Sequence, residues 1–74
     1  MPYELLSTVV LANDLPEHHL KAGDVGVVVE NYENEAVEVE FVTGSGRTLA
    51  MLTLLNDQVR DIGESDVLSV RQAG

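Results

Sequence analysis

Residues 21–41, KAGDVGVVVENYENEAVEVEF, decide the fold. Gly23-Asp24-x-Gly26 marks a tight turn, because glycine tolerates a positive φ and an aspartate there is expected to bond its own backbone two residues on. Val25 to Tyr32 then reads as a strand. Its consecutive valines, Val27 to Val29, imply that both faces are covered along part of its length. Glu33-Asn34 is a polar hairpin turn. Ala36 to Val42 is the next strand and has the clearest alternation in the chain. Val37, Val39 and Phe41 point one way, and Glu38 and Glu40 the other.

Outward from this hairpin, residues 5–12 (LLSTVVLA) read as a first strand that Asn13-Asp14 stops. Asn13 to Gly23 is a long loop. Pro16 keeps it out of any ladder, and Leu15 and Leu20 are expected to tack it onto the core. After the Gly44-Ser45-Gly46 turn, Thr48 to Leu55 is a strand that is apolar on both faces. Gln58 to Ile62 is a short fifth strand. Gly63 to Asp66 suits a single 3₁₀ turn, Val67 to Arg71 a closing sixth strand, and Gln72 to Gly74 a frayed end. Five or six short strands with turns at even intervals predict an all-β, SH3-like antiparallel barrel. Residues 1–74 then form a single domain. Closure would also remove exposed edges from such valine-rich strands.

Composition narrows the function. The chain has 74 residues, no cysteine, no tryptophan, and Tyr3, Tyr32 and Phe41 as its aromatics. An aliphatic core one side chain deep leaves little room for a deep pocket. The lack of cysteine excludes a disulfide framework or thiolate metal site and fits a reducing compartment. The apolar run near the N-terminus is too short for a signal peptide or a membrane span, so a soluble, cytoplasmic protein is expected. The formal charge is −9, with Lys21, Arg47, Arg60 and Arg71 as the cations. Phosphate backbones need clustered cations, so nucleic acid and anionic membrane are poor partners, and a protein with a basic surface is a good one.

The segments NDLPEHHLKAGDVGVVVENY, VEVEFVTGSGRTLAMLTL and VRDI resemble a family of small bacterial proteins classed as a domain of unknown function. The resemblance spans nearly the whole chain and implies an SH3-like barrel with no assigned activity. Members encoded beside another small protein imply a partner of the accessory or antitoxin type. GDVGVVVENYENEAVEVEF is also distantly similar to the KOW segment of ribosomal and transcription-factor barrels, without the basic residues that contact RNA.

Candidate sites follow. Asp14, Glu17, His18 and His19 share one loop, but adjacent histidines on a loop rarely converge and no second ligand cluster exists, so no metal is expected. The serines lack a nucleophile context, and Gly44-Ser45-Gly46 lacks a following helix and lysine for phosphate. No catalytic residue and no cofactor are expected. What remains is the row Glu30, Glu33, Glu35, Glu38 and Glu40, and the loop residues Asp14, Glu17 and His18. They are the candidate docking residues of a non-enzymatic interaction module. The competing expectations are a KOW-like nucleic-acid-binding barrel and an accessory subunit of a metalloenzyme. A homo-oligomer through the Thr48–Leu55 strand is also open.

Overall fold

The computed structural model describes residues 3–33 and 35–73. The strands are β1 (Thr8–Leu11), β2 (Val25–Tyr32), β3 (Ala36–Val42), β4 (Thr48–Leu55) and β5 (Val59–Asp61). They form one antiparallel sheet in the order β4-β3-β2-β1-β5. Single 3₁₀ turns lie at Pro16–His18 and Asn56–Gln58.

The sheet does not close, which corrects the expected SH3-like barrel: β4 and β5 are its two edges and no ladder joins them. In a flat sheet four strand spacings would hold these edges about 19 Å apart. The 3₁₀ link from Leu55 to Val59 spans roughly 8 Å at ~2 Å per residue. The sheet must therefore coil, so that its edges approach where this link crosses. They still do not pair, and side chains engage backbone groups on both strands. The Leu55 N–H donates to Gln58 Oε1 at 2.7 Å. The Val59 carbonyl accepts the Tyr3 hydroxyl at 3.2 Å.

The expected sixth strand is absent too. Val67 to Arg71 forms no strand and joins no ladder. Gly63 to Asp66 is a hydrogen-bonded turn closed by Asp66 N–H to the Gly63 carbonyl at 3.1 Å, and not a 3₁₀ helix. Asn34 of the hairpin turn and Gly74 of the expected frayed end lie outside the described residues.

The core is aliphatic around one phenyl ring. Val9 and Leu11 of β1, Val28 of β2, Val37, Val39 and Phe41 of β3, Leu54 of β4 and Val59 of β5 are buried together with Leu20. Leu20 brings the long loop with it. It pairs with Leu15 through N–H···O bonds of 2.9 and 3.1 Å, and Leu15 packs against the core. Gly26 faces Phe41 so closely that a Cβ there would meet Val39 Cγ1 at 2.6 Å and Phe41 Cε1 at 2.9 Å.

One irregularity places the candidate site. In β2, Gly26 and Val28 face the core, and strict alternation would send Glu30 after them. The register shifts between Val28 and Glu30, so Val28 pairs with Val39 while Glu30 pairs with Glu38. The extra residue, Val29, is a bulge that turns Glu30 to the outer face.

Candidate interaction surface

The outer face of β2, β3 and β4 is built in cross-strand rows. Val27, Glu40 and Met51 form one row, and Glu30, Glu38 and Thr53 the next. Tyr32, Ala36 and Leu55 complete the face toward the β2–β3 turn. Glu30, Glu38 and Glu40 are thus brought together on one surface. Exposed Tyr32, Met51 and Leu55 stand among them.

Two of the three carboxylates are held. Glu38 Oε1 accepts the Thr53 hydroxyl at 2.7 Å and the Tyr32 hydroxyl at 3.1 Å. Glu40 Oε2 accepts the Thr48 hydroxyl. Among the described residues, Glu30 Oε1 accepts only the neighbouring Asn31 N–H, at 3.1 Å. The hydrogen bond to Glu38 pushes the Tyr32 hydroxyl pKa above its ordinary value, and desolvation and the Glu30 charge act the same way. These neutral hydroxyls order the carboxylates without neutralising them, so the charge stays available to a ligand.

Glu30 and Glu38 sit directly across from each other. Two like charges ~6 Å apart in water repel by about 0.7 kcal/mol before salt screening. A cation placed between them removes that repulsion as it binds.

The remaining sequence candidates lie elsewhere. Glu33 and Glu35 are exposed at the β2–β3 turn, where Glu33 has a φ of 59°. The loop that carries Asp14, Glu17 and His18 precedes β2 and stands at its other end. The eight residues of β2 separate the two groups, about 27 Å along an extended strand. Asp14 is occupied locally: Oδ1 accepts the Ala22 N–H at 2.9 Å. Glu17 and His18 are exposed in the 3₁₀ turn that His19 caps in the left-handed region. Among the described residues, no three His, Cys, Asp or Glu side chains are placed to hold a metal ion. No described helix is long and apolar enough to cross a membrane.

Sequence reasoning missed the ordering hydroxyls of Thr48 and Thr53, for which only the facing positions on β4 give a signal. It also missed what Asp24 does. The carboxylate does not bond forward along its own chain. Oδ2 accepts the Lys21 N–H at 2.8 Å, and both oxygens receive the Arg71 guanidinium.

The family model for a domain of unknown function, DUF4926, matches residues 5–61. The chain belongs to this family. The DUF4926 span contains all five strands, the long loop with Asp24, and the Glu30–Glu38–Glu40 face. It ends at Asp61, so the Gly63 turn and the segment leading to Arg71 lie beyond it. No curated protein and no solved structure matches the chain.

Proposed function

We propose that this DUF4926 domain is a non-enzymatic protein-interaction module whose β2–β4 outer face docks a partner with a basic surface. One observation carries the reading. Glu38 and Glu40 are ordered by hydroxyl donors, Glu30 faces Glu38 across the strands, and exposed Tyr32, Met51 and Leu55 are interleaved with them. Apolar side chains supply area, and the carboxylates select a cationic partner and speed its encounter.

The test is affinity capture from native lysate with wild-type protein and with a Glu38→Lys/Glu40→Lys variant, at low and moderate salt, quantified by mass spectrometry. We expect one stoichiometric basic protein on the wild type, reduced at moderate salt and reduced at least about tenfold on the variant. An equal yield of that protein on both baits at low salt removes the face from the interaction.

A further inference from the structure

The segment after the family-defined domain is poorly packed. Val67, Leu68 and Val70 are 87%, 68% and 100% exposed. They join no ladder. Asp66 ties the start of the segment to Arg60 of β5, and beyond that turn the segment is seated through Arg71. Arg71 Nε donates to Asp24 Oδ1 at 2.9 Å, and one terminal nitrogen donates to Asp24 Oδ2 and to the His19 carbonyl, the latter at 2.9 Å. The contact is partly shielded, with the Arg71 and Asp24 side chains 32% and 19% exposed.

The acceptors are built into the domain. Asp24 follows Gly23, whose φ of 95° only glycine adopts without strain, and is held by the Lys21 N–H. His19, at a φ of 60°, is held by its N–H to the Pro16 carbonyl and precedes buried Leu20. Three acceptor positions in fixed relation suit the planar fork of a guanidinium and not the single point of an ammonium. Beside them runs an open groove of about 540 Å³, with Leu20, Val25, Phe41, Val42 and Leu49 on the domain side and residues 69–73 on the other. The socket lies within the DUF4926 span, and the arginine that fills it lies outside that span.

We infer that Asp24 and the His19 carbonyl form a receptor site for an arginine carried on an extended peptide segment of a partner protein, and that Arg71 occupies it in cis as a stand-in. The tail is an intramolecular competitor. A partner's arginine displaces it, and the partner's segment takes the place of residues 69–73 against Leu20, Val25, Phe41, Val42 and Leu49. This goes beyond the proposed function: it rests on a different surface and survives if Glu38 and Glu40 dock nothing.

The experiment is an NMR titration of the full ¹⁵N-labelled chain with an acetylated, amidated peptide copying residues 66–73, DVLSVRQA. In Arg71→Ala protein the peptide should produce saturable shifts confined to the amides of residues 19–25 and those lining the groove. Wild-type protein should show at least about tenfold weaker apparent affinity, because a tethered tail competes at roughly millimolar effective concentration. Peptide with lysine in place of its arginine should bind several-fold more weakly, and peptide with alanine there should not saturate. Should Arg71→Ala fold poorly, Arg71→Lys keeps the tail and its charge while loosening the fork, and the same ranking of peptides applies. Equal binding of the arginine and alanine peptides, or identical titrations of wild type and variant, would overturn the assignment. So would the absence of saturable shifts at residues 19–25.

Discussion

At the scale of single residues, two side chains' worth of space explain much of the sheet's shape. Gly26 has no Cβ because Val39 and Phe41, both buried, occupy the place it would take. Neither neighbour is a flexible tip free to swing into solvent. Gly26→Ala is therefore expected to destabilise by about 1–3 kcal/mol, measured as a lower urea midpoint at unchanged slope. A midpoint within error of wild type would mean that β2 and β3 separate freely at this point. A second residue-scale feature is the Arg60–Asp66 pair, whose guanidinium donates to both carboxylate oxygens at 2.8 and 3.0 Å. Together with the Gly63 N–H it lowers the Asp66 pKa from 3.8 to about 2. A depressed carboxylate contributes stability that is fully present above its unfolded pKa and is lost as pH falls through its folded pKa. The Gly63–Asp66 turn should accordingly stay locked at pH 5 and loosen between about pH 4 and 2. Carboxyl ¹³C titration should place Asp66 near 2 in wild type and closer to 3.8 in Arg60→Ala. A midpoint unmoved by the substitution would assign the shift to the Gly63 N–H alone.

At the scale of elements, strands are legible where alternation and turn residues agree. β2, β3 and β4 run over the same residues that period-two patterning and the flanking glycines indicate. β1 is shorter than its apolar run, because Leu6 turns with a φ of 67° and leaves Leu5 outside the ladder. The Val67–Arg71 strand fails for a different reason. Its residues have the propensity, but a strand exists only where the segment reaches and pairs with an edge, and propensity carries no information about that. The candidate site divides along the same line. Alternation alone places Glu38 and Glu40 together. Glu30 is legible as part of the acidic row but shares their face only through the bulge at Val29, and Asp24 meets Arg71 across 47 residues of chain, so neither contact is visible in local pattern. The bulge also makes a prediction, because it sets Glu30 against Glu38 when simple alternation would have buried it. Glu30→Gln keeps a polar outward side chain and removes the repulsion. It should raise stability by about 0.2–1 kcal/mol in urea unfolding at low salt, with the gain shrinking as salt is added. Loss of stability would mean that Glu30 has a favourable partner outweighing its opposed neighbour. A gain in stability coupled to weaker capture of a basic partner would identify the row as a binding feature kept at the expense of the fold.

At the scale of the whole molecule, charge and size act together. The chain carries a formal −9 within extents of 33 × 26 × 21 Å. At 10 mM ionic strength the Debye length is about 30 Å, so nearly every carboxylate senses every other across the domain. At 150 mM it is about 8 Å, and only neighbours such as Glu30 and Glu38 still interact. Two attractive pairs, Arg60–Asp66 and Arg71–Asp24, oppose this field among the described residues. Both are close contacts that salt weakens less than the diffuse repulsion. Net repulsion should therefore dominate the salt response, and the compact state should gain as salt rises. For a domain of this size 1 kcal/mol corresponds to roughly 4–8 °C in Tm, and a shift of that order upward is expected between 10 and 150 mM sodium chloride at pH 7. Circular dichroism melts at matched pH would measure it, with potassium fluoride as a second salt to separate screening from specific ion binding. A flat or falling Tm would mean that the two ion pairs and the hydroxyl-held carboxylates already balance the field. The acidic surface would then impose no strain on the fold for a basic partner to relieve. A rise common to both salts would mean the free domain is held below its attainable stability by its own charge, the condition under which docking a cationic surface both binds and stabilises it.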